Sequence, residues 1–222
     1  MRCTGVILAG GGATRYGGRP KGLERVGGRR IIDRVADALR ETTDELLLVA
    51  NAPGAAEWLP GVRTEADVRP GEGALGGLHA ALSHAGGAIL LVAWDMPFVP
   101  TALLRALRER GEADGEAGVV GGTPRDTAGT RAARADAVLP ASDGSRRGVE
   151  PLCAWYSHAC LGPIEAALDA GDRRVVAFHD HVTAVTLPLA DVARFGDPSV
   201  MFGNVNSPED LARAEGTESS RG

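Results

Sequence analysis

The sequence lacks any apolar run of the ~18 residues a membrane span needs, any charged leader with an apolar stretch and a small-residue cleavage site, and any excess of basic residues. The first two absences predict a chain that neither crosses a membrane nor is secreted. The third removes the electrostatic footprint of a nucleic-acid binder: the formal net charge is −5 and both signs are interspersed. Any phosphate the chain binds must therefore be met by a few local groups. Cysteine is sparse and odd in number, with Cys3, Cys153 and Cys160 showing neither C-x-x-C nor Cys/His ligand spacing. That pattern predicts buried thiols in a reducing cytoplasm and excludes a disulfide framework. No repeat and no break in composition divides the chain, so one domain over residues 1–222 is expected.

Short apolar runs alternate with amphipathic segments. Thr4–Gly10 reads as a buried parallel strand closed by glycines. Ile31, Ile32, Val35, Ala38 and Leu39 then share one helical face, and ELLLVAN forms a second strand. VRTE is a weak third strand, LGGLHAALSHA a helix, and Ala88–Ala93 a strongly apolar fourth strand before a helix starting near Pro100. This alternating wind predicts a mostly parallel sheet with helices on both faces. Residues 111–135 lack apolar periodicity and are expected to form a flexible surface excursion, with 121–135 dispensable for folding. Beyond it, DAVLP restores order, EPLCAWY and HVTAVTLPL have strand character, CLGPIEAALDA and RRVVAFHD read as helices, and SVMFGNVN reads as a last strand. Ser207-Pro208-Glu209-Asp210 opens a final helix with a serine cap, a proline at its first position and acids in its first turn. A frayed tail is expected over 216–222.

The chemistry concentrates in Leu8–Gly22, LAGGGATRYGGRPKG, where glycines let backbone amides approach an anion and Arg15 and Lys21 supply charge. It is not a dinucleotide fingerprint, because Arg15 stands where the third glycine is required and Asn51, not an acid, ends the second strand. Nor is it a Walker loop, because Gly18 occupies the lysine position. Asp95, at the carboxyl end of the most apolar strand, is a hard oxygen ligand where open α/β sheets bind their ligands. A turn or cap acid is its plain alternative. His179 and His181 flank Asp180 without an evident third ligand, so zinc is not expected. His79 is expected to pack or cap.

LAGGGATRYGGRPKGL resembles the L-A-G-G-x-S/A-x-R-M-G loop, closed by lysine, of the molybdenum cofactor guanylyltransferase family of nucleotidyltransferases. GALGGLHAAL resembles that family's G-P-L-A-G segment, WDMPFVP its C-D-M-P-F-L-P, EPLCAWY its P-L-C-A-L-Y, GDRRVVAF its G-E-R-R-V and NVNSPEDL its N-I-N-T-P-E-D-L. The six segments run in the same order from residue 8 to residue 211. Tyr16, Ala74 and Trp94 depart from the pattern, and none of them removes a charged group.

The resemblance implies an α/β fold, a Rossmann-like three-layer sandwich with a mostly parallel central sheet. It implies transfer of GMP from GTP to the terminal phosphate of molybdopterin, with release of pyrophosphate. Lys21, Arg15 and Asp95 would be catalytic, Asp95 also holding Mg²⁺. Leu8, Ala9, Gly10, Gly11, Lys21, Asn51, Asp67 and Asp95 would bind the nucleotide, and Asn204 and Asn206 would complete an acceptor or metal shell. Cytidylyl transfer to the same cofactor, or to another phosphorylated or sugar acceptor, and a non-catalytic nucleotide-binding regulator are the alternatives. GTP, molybdopterin and transient contact with cofactor delivery or acceptor proteins are the expected partners, in the cytoplasm.

Overall fold

A computed structural model describes residues 2–10, 20–113, 134–145 and 147–220. Its elements in chain order are β1 (Cys3–Ala9), β2 (Arg25–Val26), β3 (Arg29–Arg30), α1 (Ile31–Arg40), β4 (Glu45–Ala50), β5 (Arg63–Glu65), α2 (Gly73–Ala85), β6 (Ala88–Ala93) and α3 (Thr101–Glu112). There follow β7 (Ala137–Pro140), β8 (Cys153–Tyr156), α4 (Leu161–Asp169), β9 (Ala184–Leu187), α5 (Leu189–Val192), α6 (Pro198–Met201) and α7 (Pro208–Ser219).

Seven strands form one sheet in the order β5-β4-β1-β6-β8-β7-β9. β1 pairs in parallel with β4 and β6, β4 with β5, and β7 with β9, while β8 alone runs against its neighbours. The sequence dictates this placement. CTGVILA and AILLVA are buried along their whole length, as strands covered by helices on both faces must be. Alternate residues then enter two different cores. Ile7, Leu48, Leu90 and Val92 face α1 and α3, where Ile32, Val35, Leu39, Leu103 and Leu107 meet them. Val6, Leu47, Val49, Ile89 and Leu91 face α2 and α4, where Leu75, Leu78, Leu82, Ile164 and Leu168 meet them. The expected three-layer architecture with its mostly parallel sheet is therefore present. Within α1 the buried small residue is Ala36, with Ala38 packing at the edge.

The structure differs from the sequence expectations in four places. SVMFGNVN forms no strand: α6 starts one residue earlier, capped by the Asp197 side chain, which accepts from the Ser199 amide with Pro198 at the first position. RRVVAFHD forms no α-helix but turns that end in a single 3-10 turn over His179–His181, with the Asp172 carboxylate accepting from the Arg174 amide. α7 continues to Ser219, so the tail expected to fray from 216 is helical that far, held to α1 by an Arg34–Glu218 ion pair at 2.5 Å. The excursion expected over 111–135 is narrower at both ends, because Gly111 and Glu112 complete α3 and Ala135 is buried. A deletion through Ala135 would thus cut into the core. The rest of that segment, 114–133, lies outside the described residues.

Gly111 has a specific reason to be glycine, since a Cβ there would overlap the indole of Trp155, one of the largest fully buried side chains. Gly111→Val should therefore lower stability by about 1–3 kcal/mol through overpacking, a fall of roughly 3–10 °C in Tm. Thermal unfolding measured by circular dichroism checks this.

Candidate active site

From β1 the chain moves outward through α1 to β4 and β5, then returns over α2 to β6 on the other side of β1. Helices on the two sides of such a switch point leave a crevice at the carboxyl ends of the strands, where open α/β sheets bind ligands. A cavity of about 420 Å³ lies there, lined by Leu8, Ala9 and Gly10 at the end of β1, Val49 and Asn51 at the end of β4, and Ala93, Trp94 and Asp95 at the end of β6. Gly73, Ala74 and Gly77 bring the N-terminal turn of α2 to its wall, and Lys21, Asp67, Gly71 and Leu152 complete it. Unpaired amides at a helix start favour negative charge.

Close approach explains the glycines of α2. A Cβ at Gly77 would strike the Leu8 side chain, and one at Gly76 would press on Glu72 and the Arg69 carbonyl. These residues let α2 sit down on β1 and on the 66–73 loop. Gly10, by contrast, has nothing within 4 Å of its Cβ position among the described residues.

The charged centre joins three distant parts of the chain. Lys21 Nζ donates to Asp95 Oδ2 at 2.5 Å and to Asn206 Oδ1 at 2.6 Å. The pair is largely withdrawn from water, with side-chain exposures of 14 % for Lys21 and 10 % for Asp95. Asp95 is placed by β6 and by its own carbonyl, which accepts from the Val205 amide. Asn206 is placed by the start of α7: its amide donates to the Asp210 carboxylate, while the Asp210 amide donates to Ser207 Oγ. Lys21 stands on a single 3-10 turn, Lys21–Leu23. At the far end of the cavity Asn51 Nδ2 donates to Asp67 Oδ2 at 2.6 Å and the Asp67 amide donates back to Asn51 Oδ1 at 2.8 Å.

The structure thus brings Leu8, Ala9, Gly10, Lys21, Asn51, Asp67 and Asp95 to one cavity, with Asn206 bonded to Lys21. Asn204 does not line it; it lies exposed between two neighbouring grooves. Gly11 and Arg15 lie outside the described residues. His79 is buried with Nε2 3.3 Å from Glu165 Oε1, which is the packing role expected. Burial holds the His179 imidazole below its ordinary value. Among the described residues no three His, Cys, Asp or Glu side chains gather as a metal cage.

Trp94, a departure from the family pattern that narrows the space beside Asp95, forms a wall of the cavity, whereas sequence reasoning missed Leu152 and Glu150. Burial raises the Glu150 carboxyl above its ordinary value, and the charge of Asp95 adds to the effect. A signal for Lys21 was available and simple: it is the only lysine in a chain with 23 arginines. All three cysteines are buried and free, and burial pushes the Cys3 and Cys160 thiols up to about 12.

A doubly wound sheet with a polar, cation-bearing crevice at its switch point defines a nucleotide-binding α/β protein. The family profile of the MobA-like NTP transferase domain matches residues 5–182, and the chain belongs to that family. Similar proteins include a molybdenum cofactor guanylyltransferase of Desulfosudis oleivorans, 32 % identical over 96 % of this chain and 94 % of its own. Another, from Cereibacter sphaeroides, is 34 % identical over 97 % of this chain and 96 % of its own. Among solved structures, the molybdopterin-guanine dinucleotide biosynthesis protein A of Archaeoglobus fulgidus superimposes with a TM-score of 0.74 at 28 % identity, covering 98 % of this chain and 99 % of that one.

The Lys21–Asp95 pair also bears on stability, because removing one partner of a shielded ion pair strands the other charge. Lys21→Ala and Asp95→Asn should each lower stability by about 1–3 kcal/mol, the cavity mouth softening the full penalty of a buried pair. The double variant should cost less than the sum of the two. Urea unfolding of the four proteins measures the coupling, and strict additivity would contradict it.

Proposed function

We propose that this chain is a single-domain nucleotidyltransferase that moves GMP from GTP to the terminal phosphate of molybdopterin, with release of pyrophosphate. The observation that carries the reading is the meeting of Lys21 and Asp95, with Asn206 bonded to Lys21, at the switch-point cavity. Family membership and the names of relatives that match nearly the whole chain support the substrates. Three free, buried cysteines support a cytoplasmic setting. Among the described residues no helix is long and apolar enough to cross a membrane.

In this reading the base and ribose lie against Leu8, Ala9 and Gly10, with Asn51 and Asp67, already joined to each other, offering polar edges. The triphosphate runs toward Lys21, whose ammonium stabilises the charge that grows on the α-phosphate and on leaving pyrophosphate. The tertiary arrangement holds that charge in place before the reaction, so little reorganisation is needed as the acceptor phosphate attacks. Asn206 and Asp95 orient the ammonium. Arg15, assigned by resemblance, would add charge from the glycine loop. Asn204, exposed and outside the cavity lining, would meet a second substrate rather than the nucleotide.

Mg²⁺ fits this donor set. A cationic group already sits between the oxygens of Asp95 and Asn206, and both are the hard ligands the ion prefers. One carboxylate without a protein cage suits Mg²⁺, which is completed by phosphate and water oxygens. When bound, it would neutralise triphosphate charge and act as a Lewis acid.

Asp95→Asn keeps the shape and one oxygen but loses the charge. Its turnover should fall by roughly a thousandfold or more, about 4 kcal/mol at the transition state. Pyrophosphate release with GTP, molybdopterin and saturating Mg²⁺ measures this, at a temperature well below the variant's melting point. Turnover equal to that of the wild-type protein would remove Asp95 from the reaction.

Nucleotide choice separates the guanylyl reading from the cytidylyl one. No described residue outside its chain neighbours lies within 4 Å of a Cβ built on Gly10, which supports room for a purine, so GTP with Mg²⁺ should raise the melting temperature more than CTP, ATP or UTP at equal concentration. GTP should also be the better substrate. Equal or better turnover with CTP would assign the chain to cytidylyl transfer.

A further inference from the structure

We propose that Trp94 is the positioning residue for Lys21: its indole forms the wall that fixes the Lys21–Leu23 turn and so sets where the ammonium points. The proposal deepens the nucleotidyl-transfer reading and rests on it.

Trp94 is 4 % exposed, and its backbone is pinned beside β1 by donation from its amide to the Leu8 carbonyl at 3.2 Å. Its ring touches two things that matter. It stacks on Trp58, with ring centroids 5.2 Å apart and planes 19° from parallel. It also lies so close to buried Gly22 that a Cβ on Gly22 would fall among Cγ, Cδ2 and Cε3 of the indole. The residue before Gly22 is Lys21, and the residue after Trp94 is Asp95. The two segments are therefore braced twice, once by the ion pair and once by glycine against indole.

The turn is otherwise held at its far end, where Leu23 packs against the core and the Ile31 amide donates to the Glu24 carbonyl at 2.9 Å, so the brace acts at the end that carries Lys21. No side chain caps it, and within the turn Leu23 and Glu24 donate their amides back to Pro20 and Lys21. A lysine stem has four rotatable bonds, so an ammonium aimed with catalytic accuracy requires a fixed root. Among the described residues the buried Trp94 Nε1 atom has no partner. The indole is thus held by shape and stacking alone, and what it contributes to the turn is a flat surface. Any aromatic ring of suitable size would supply part of that surface, whereas a small side chain would supply none.

The test uses Trp94→Ala, Trp94→Phe, Gly22→Ala and the double variant Gly22→Ala/Trp94→Ala in the full chain. Trp94→Ala should lower kcat at least tenfold while changing GTP affinity, measured by calorimetry, less than threefold. Trp94→Phe should recover most of that loss. Gly22→Ala should lower kcat by pushing the turn off the ring, and should cost little or nothing further when the ring is already absent, because its methyl then enters vacated space. Since Lys21 is the only lysine, protein labelled with ¹⁵N-lysine gives one side-chain ammonium signal in NMR, whether or not the enzyme turns over. That signal should be sharp in the wild-type protein and in Trp94→Phe, and broadened or lost in Trp94→Ala. If Trp94→Ala does not fold, Gly22→Ala alone reads the same contact, and an unchanged ammonium signal and kcat in it would overturn the proposal. An unchanged ammonium signal in Trp94→Ala, with only a lower melting temperature, would show a structural role and overturn the proposal, as would additive losses in the double variant. A wild-type protein that transfers no nucleotide would instead refute the transfer reading, and the ammonium signal would still decide the role of Trp94.

Discussion

The pairing of β1 with β6 governs the rest of the molecule. Both strands are buried on both faces, so a slip of one residue would exchange the two cores and leave neither filled. The register is therefore fixed, with Ile7 beside Val92 and Leu8 beside Ala93. Beyond those partners one strand leads to Gly10 and the other to Trp94 and Asp95. Gly10 and Asp95 thus leave neighbouring strands at one level, both lining the same cavity. The crossovers that lead away from β1 on one side and return on the other keep helices from filling the space above. The site follows from hydrophobic burial, although none of its chemistry is hydrophobic.

The ion pair at this point would be a poor device for stability alone, because withdrawing two charges from water costs more than their attraction often returns. Its geometry makes more sense as preparation. An ammonium held by Asp95 and Asn206 is already desolvated and directed, which is the condition under which a fixed charge favours a transition state over a ground state. Asn206 contributes from the opposite end of the chain, so the site closes only when α7 has docked. The Arg34–Glu218 pair and the bond from the Gly27 amide to Glu215 hold that helix against α1 and the β2–β3 hairpin. The last turns of α7 therefore help to hold Asn206 against Lys21.

Much of this was legible in the sequence because the strongest signals are physical ones. Continuous apolar runs marked β1, β4 and β6, the 3.6 period marked α1, and the serine cap with proline marked α7. Asp95 was legible from its place after the most apolar strand. The errors came where one local signal was weighed over another. Asp197-Pro198-Ser199 carries the same start signal as Ser207-Pro208, yet the apolar letters of SVMF suggested a strand. In RRVVAF the apolar period suggested a helix, whereas Asp172 bonds back to the following backbone and holds a turn. The tail looked unstructured by composition because its restraints, Glu215 and Glu218, meet partners more than 180 residues away. Asn204 and Asn206 looked equivalent in the sequence, and only the docking of α7 separates them.

Lys21 shows why a residue type can be as informative as a motif. With arginine at every other cationic side chain, the chain uses guanidinium wherever a planar fork at a surface suffices, as at Arg30 with Asp33 and Arg69 with Asp169. Two oxygen acceptors from different elements converge on Lys21, each within 2.6 Å. A compact ammonium with three rotatable donors meets them, whereas a rigid fork would have to match one plane. In phosphoryl chemistry the oxygens around phosphorus move as bonds form and break, and donors that rotate can follow them without moving the side chain. The same compactness is bought with a flexible stem, which explains why the backbone of this lysine is pressed, through a glycine, against the flattest and widest side chain available.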